Sequence, residues 1–250
     1  MTIEPALYAT VALAAGLAGF TQGFAGFGST LVAMPLLGLV LDIGTALPLG
    51  CLMALGINLG LGPGLYRHVR WRPLGLLLAC SLPGMALGAF LLGVVPKAVL
   101  SGVLGAVVLY VALRILPADP LRVGTGNLLA APIGLVAGCL GVCIGVNGPP
   151  VVAWAARQPW RGVELKATLV GYFLASGLGI VGVQAASGLV TARVAALTLP
   201  ALPALVIGLW TGGVLYGRVN ETAFRRLVIA LLAATGLVLV GQALWQALAG

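Results

Sequence analysis

Charge is what this chain has least of. Only 7% of its residues are Asp, Glu, Lys or Arg, against about 25% in soluble domains. It carries one histidine, His68, and five acids: Glu4, Asp42, Asp119, Glu164 and Glu221. All six lie at the ends of apolar runs or between them. Pumps and proton-coupled carriers place ionisable groups in mid-membrane, so neither a carboxylate proton relay nor a cation site built from acids is expected. The four cysteines, Cys51, Cys80, Cys139 and Cys143, form no Cys-x-x-Cys pair. With one histidine in a loop they fall short of a zinc ligand set, and neither a metal nor any other cofactor is expected. No Gly-Lys-Ser/Thr follows the glycine-rich stretches, which excludes a Walker-type phosphate loop, and Gly-Phe-Ala-Gly-Phe-Gly without a βαβ context makes no dinucleotide site. Nothing here resembles the machinery of an enzyme.

What is present in excess is apolar sequence. Apolar residues make up 61% of the chain and the mean hydropathy is +1.15. Most segments between loops are apolar runs of about 18 residues or more, long enough to cross a bilayer. The fold class is therefore an all-α polytopic membrane protein. The net charge of +8 does not indicate nucleic acid, because the basic residues occupy short loops, where they act as topology signals.

The first apolar stretch runs from residue 6 to 41. As one helix it would be about 54 Å long, against a hydrocarbon core of about 30 Å. It is too long for one span and short for two, which predicts a hairpin bent at its glycine-rich centre, either re-entrant or as two short spans. Spans are then predicted near 45–65, 73–95 and 97–116. The second half repeats the plan, with a broken stretch over 125–156 and spans near 167–188, 194–216 and 224–248. At a shift of about 120 residues Ala18-Gly19 falls on Ala137-Gly138, Gly26 on Gly145, Leu82-Pro83 on Leu202-Pro203, and Gly88 on Gly208. This divides one membrane domain into a first repeat, 1–116, a cytoplasmic linker, 117–123, and a second repeat, 124–250.

Charge sets the orientation. With the N-terminus outside and each hairpin returning to its own side, Arg67, Arg70, Arg72, Arg114, Arg122, Arg157, Arg161, Lys166, Arg218, Arg225 and Arg226 fall inside, and only Lys97 and Arg193 fall outside. That is a strong positive-inside bias. Both termini are then extracytoplasmic, and each half makes an odd number of net crossings, so the halves are inverted repeats of the kind many secondary transporters use.

The two breaks are the candidate site. The first spans Ala18 to Thr30 and the second Ala137 to Pro150. Non-helical backbone at membrane depth is tolerated only where protein buries it or a cavity is lined by it. After each break a helix begins, near Gly28-Ser29-Thr30 in the first copy. In the second, Asn147 suits the N-cap and Pro149-Pro150 the first helical positions. Free N–H groups and the positive dipole end of a helix start bind anions. If the two tips meet near the midplane, they build an anion site without lysine or arginine. Its predicted residues are Gln22, Gly26, Gly28, Ser29, Thr30, Asn58, Gly145, Asn147, Gly148 and Pro149. Cys139 and Cys143, four apart on one helix face, leave a thiol role open. Four Gly-xxx-Gly pairs, at 19/23, 84/88, 134/138 and 208/212, also match the small-residue pattern of packed membrane helices.

In Gly23-Phe24-Ala25-Gly26-Phe27-Gly28 followed by Pro35, and in Gly145-Val146-Asn147-Gly148-Pro149-Pro150, the chain resembles the TauE/SafE family of sulfite-exporter-like membrane proteins. The likeness of two related halves, each opening on such a motif, covers nearly the whole chain. It implies a plasma (inner) membrane transporter for a small sulfur-containing anion such as sulfite or an organosulfonate. The partners so implied are that anion and the lipid bilayer, with no nucleic acid; a homo-oligomer is left open. Export of the anion, bound between the hairpin tips, is the leading expectation. A passive anion or small-solute channel, or a membrane subunit dependent on a partner, stands as the alternative.

Overall fold

The computed structural model describes residues 5–110, 113, 129–160, 162–215, 233–234 and 236–245. Among them there is no strand. In lipid a helix satisfies all its backbone groups internally, and this sequence offers nothing to compete with it. The helices are α1 (Pro5–Ala25), α2 (Ser29–Gly38), α3 (Ile43–Leu65), α4 (Trp71–Val94), α5 (Lys97–Tyr110), α6 (Ala130–Ile144), α7 (Gly148–Ala155), α8 (Gly162–Ala186) and α9 (Ala192–Leu215), with a further apolar helix, α10 (Gly236–Trp245). Of these α1, α3, α4, α8 and α9 are long and apolar enough to cross a membrane. The predicted spans fall on α3, α4, α5, α8, α9 and α10. The linker 117–123 with the repeat boundaries beside it, both chain ends, and Arg114, Arg122, Arg161, Arg218, Arg225 and Arg226 lie outside the described residues.

Both broken stretches fold as helix, break, helix. The breaks are shorter than the glycine-rich strings suggest: the chain leaves the helix only at 26–28 and 145–147. The two exits share one geometry. The N–H of Gly26 donates to Gln22 O at 2.8 Å and that of Gly145 to Gly141 O at 3.1 Å. Gly26 and Gly145 take φ of +81° and +71°. This is the left-handed glycine cap of a helix C-terminus, a region that side chains with a Cβ rarely adopt.

The remaining glycines of the motif strings pack helices. Gly19 lies against the carbonyl of Leu205 and Gly23 against that of Leu209; in return Gly208 lies against Gly16 O and Gly212 against Phe20 O. α1 and α9 therefore run parallel with their backbones touching. The same arrangement joins α4 and α6, where Gly84 meets the carbonyl of Leu135, Gly88 that of Cys139, Gly134 that of Leu77 and Gly138 that of Ser81. All four Gly-xxx-Gly pairs thus serve close helix contact, the first with the fourth and the second with the third. Between these pairs α3 and α8 cross antiparallel: Gln184 meets Cys51, and Gly62 faces Leu174.

The hairpin tips are anchored in the opposite half. Val146 is fully buried in a cluster with Leu31, Val32, Met34, Ile43 and Leu47. Phe27 packs against a cluster of Val151, Trp154, Leu169, Tyr172 and Phe173. Each tip is therefore held by apolar burial as well as by its own backbone cap.

Candidate functional site

Where the two breaks meet, the structure leaves a small cavity. It is lined by Gln22, Gly28, Ser29, Thr30 and Leu31 from the first hairpin, by Gly145, Asn147 and Gly148 from the second, and by residues of α3 and α8. The space open to the centre of a water molecule is about 30 Å³, room for about two waters. No Asp, Glu, Lys, Arg or His lines it.

Of the residues predicted from sequence, Gln22, Gly28, Ser29, Thr30, Asn58, Gly145, Asn147 and Gly148 border this cavity, and Gly26 and Pro149 do not. Gly26 is covered instead by the stem of Lys166, whose Cγ lies 3.0 Å from where a Cβ on Gly26 would sit. Cys139 and Cys143 lie at the α4–α6 contact. The buried thiol of Cys143 donates to Gly88 O at 3.3 Å.

The lining that sequence reasoning missed comes from α3 and α8: Cys51, Ala54, Leu55, Phe173, Gly177 and Ile180. A signal for the α3 residues was present. Cys51, Ala54 and Leu55 precede Asn58 by seven, four and three positions, which places all four on one helix face. Phe173, Gly177 and Ile180 follow the same spacing on α8.

The polar groups are held in fixed orientation. Gln22 Nε2 donates to Asn58 Oδ1 at 2.9 Å, and Gln22 Oε1 accepts the N–H of Ser29 at 3.1 Å. Asn58 Nδ2 donates to Ala54 O at 2.7 Å, and Asn147 Nδ2 to Ser176 Oγ at 3.1 Å. A side-chain NH2 carries two hydrogens, and these bonds use one from each of the three amides. Gln22 and Asn58 are each 1% exposed and Asn147 8%, so in this dry setting an oriented donor interacts strongly with charge.

The two helix starts differ as donors. α2 opens on Gly28 at φ +97°. Its first N–H is taken by Gln22, and the first-turn amides of Thr30 and Leu31 follow, which have no partner within the helix. In α7, Pro149 and Pro150 have no N–H, leaving Gly148 as the donor among the first three positions. Asn147 stands at the N-cap but makes no side-chain capping bond, because its amide is turned to Ser176. The Asn-Gly-Pro-Pro string, which reads as the better-defined helix start, therefore supplies fewer amides than the first copy.

Comparison with known proteins gives the chain its family. The family model for sulfite exporter TauE/SafE matches residues 11–239. A probable sulfite/organosulfonate exporter TauE of Cupriavidus necator is 28% identical over 204 residues, covering 79% of each chain. A probable inner membrane transporter protein TsaS of Comamonas testosteroni is 33% identical over 184 residues, covering 72% of this chain and 76% of the relative. No solved structure matches the chain significantly. The family is one of membrane transporters, not of enzymes, and the chain is a multi-pass inner-membrane transporter. This charge-poor chain of broken helices belongs to the sulfite exporter TauE/SafE family.

Proposed function

We propose that the protein exports a small sulfur-containing anion, sulfite first and small organosulfonates second, which binds in the cavity between the two hairpins. The observation that carries this reading is a cavity lined by buried, oriented N–H donors and by no Asp, Glu, Lys, Arg or His. Such a site favours an anion, since the first turn of α2 and three side-chain amides offer hydrogens. It disfavours a metal cation, for which no cluster of ligands exists among the described residues. A cavity of about two waters suits a four-heavy-atom oxyanion, and larger sulfonates require the hairpins to separate. The relatives named as sulfite/organosulfonate exporter and inner membrane transporter support the same substrate class.

The halves act as inverted repeats, 1–116 and 124–250, joined by a cytoplasmic linker. Helix directions support this. α1 starts on the face where α9 starts, α6 on the face where α4 starts, and the antiparallel α3–α8 pair puts those faces on opposite sides. The positive-inside bias assigns the face where α3 begins to the exterior. A negative-inside potential drives an anion outward by about 2.3 kcal/mol per charge per 100 mV, so export needs no titratable coupling group.

Flux of sulfite and alkanesulfonates from proteoliposomes tests the reading. Saturable efflux with counterflow is expected, and it separates a carrier from a channel. Wild-type flux in the Gln22→Leu/Asn58→Leu double variant would remove the cavity from the mechanism.

A further inference from the structure

Behind Asn147 stands a chain of buried hydroxyls. Asn147 Nδ2 donates to Ser176 Oγ at 3.1 Å. One turn back along α8, the Tyr172 hydroxyl is hydrogen-bonded to Ser176 and to Ser81 Oγ of α4 at 2.9 Å. Ser81 Oγ in turn donates to Leu77 O at 2.7 Å. Ser81 and Tyr172 are 0% exposed and Ser176 1%, and none of the three lines the cavity. The bond to Leu77 sets the sense of all the others. A carbonyl oxygen can only accept, and a hydroxyl has one hydrogen to give. Ser81 spends its hydrogen on Leu77 O, so it accepts from Tyr172. Tyr172 then accepts from Ser176, and Ser176 accepts from Asn147 Nδ2.

We propose that Tyr172, with Ser176 and Ser81, is a positioning residue that keeps the amide nitrogen of Asn147, and not its oxygen, in place for the transported anion. The inference rests on the cavity reading above, in which the second hydrogen of Nδ2 serves the anion. The two ends of a side-chain amide have nearly the same shape. Ser176 alone would take either end, since a hydroxyl both donates and accepts. An amide turned over would set Oδ1 where Nδ2 now stands and oppose a negative charge with a lone pair. The chain as it stands makes four hydrogen bonds, and with the amide turned over it can make only three, because two groups would then need one hydrogen. One bond in this buried setting favours the present orientation about fivefold.

The test is Tyr172→Phe in proteoliposomes loaded with sulfite, with thermal stability measured in parallel. Without the tyrosine hydroxyl both amide orientations make the same number of bonds. The half-saturating internal concentration is expected to rise at least about twofold, by the share of amides turned over, with maximal efflux nearly unchanged. Ser81→Ala, farther from the cavity, is expected to do the same, and it carries the test if Tyr172→Phe does not fold. The two together should do no more than either alone, because the preference is lost once. In an Asn147→Ala background, itself raised in half-saturating concentration, neither change should have a further effect. A wild-type half-saturating concentration in the folded variants would overturn the proposal. So would a rise that persists undiminished in the Asn147→Ala background, which would make the hydroxyls structural only. A wild-type half-saturating concentration in Asn147→Ala alone would instead remove Asn147 from the cavity reading, and absence of efflux in the wild-type chain would overturn the export reading itself.

Discussion

Gln22 and Asn58, thirty-six residues apart, share a buried hydrogen bond of 2.9 Å from Gln22 Nε2 to Asn58 Oδ1. The other end of the Gln22 amide accepts the first N–H of α2. One side chain therefore ties the end of α1, the start of α2 and the middle of α3 into one unit beside the cavity.

Removing either partner leaves a buried polar atom unpaired. Gln22→Leu strands both Asn58 Oδ1 and the Ser29 N–H and should destabilise the fold by about 2 kcal/mol, within the range for an unsatisfied buried group. Asn58→Leu should cost less, because Gln22 keeps its bond to Ser29. The double variant should be less than additive, with a coupling of about 1 kcal/mol. Thermal unfolding in detergent measures all three.

The glycine contacts divide the glycines into two classes. Gly19→Ala and Gly208→Ala would press a methyl into backbone carbonyls across the α1–α9 contact. Each should destabilise by about 1–3 kcal/mol, as overpacking does. Gly56 and Gly182 face open space, so Gly56→Ala and Gly182→Ala should be neutral, or stabilising by up to about 1 kcal/mol in a helix. Equal effects in the two classes would overturn the close-contact reading.

Gly145 combines a φ of +71° with Met34 Sδ 2.9 Å from where a Cβ would stand. Gly145→Ala should therefore lower both stability and flux. Made in a Met34→Ala background, Gly145→Ala should cost less than in the wild-type chain, because the collision is gone and only the backbone share remains. Gly28, at φ +97° with the Thr21 methyl 3.3 Å from a Cβ position, should show the same two-part loss, smaller in its steric share. Paired melting and efflux assays separate the shares.

Cys139 and Cys143 lie away from the cavity, and the export reading assigns them no chemistry. Cys139→Ala with Cys143→Ala should keep sulfite efflux within about twofold of wild type, since what is lost is a weak S–H bond. A collapse of efflux with the fold intact by melting, and no rescue with serine at either position, would restore a thiol role.

Much of this architecture is legible in the chain. The 36-residue stretch from 6 to 41 cannot be one span, and the structure breaks it after Ala25. The spans follow from apolar length alone, because a bilayer permits little but helices. The site was legible where a residue breaks a pattern: Gln22, Asn58 and Asn147 are polar in apolar runs, and all three border the cavity. It was not legible where the lining is ordinary. Leu55, Phe173 and Ile180 look like any lipid-facing or core residue until α3 and α8 are brought together. Glycine was ambiguous for the same reason. Gly23 and Gly26 belong to one motif, yet Gly23 touches α9 while Gly26 turns the chain.

The sequence by itself determined that this is an all-α membrane protein with two broken apolar stretches and no charge at the centre of its spans. Composition and run length suffice for that, since each acts locally through the cost of exposing polar groups to lipid. Only the tertiary structure decided which glycines pack and which turn, that Pro149 and Gly26 stand back from the cavity, and that Gln184 is buried with an unpaired oxygen. Those outcomes depend on which helix lies opposite, and a one-dimensional pattern of apolar residues carries no record of its neighbours.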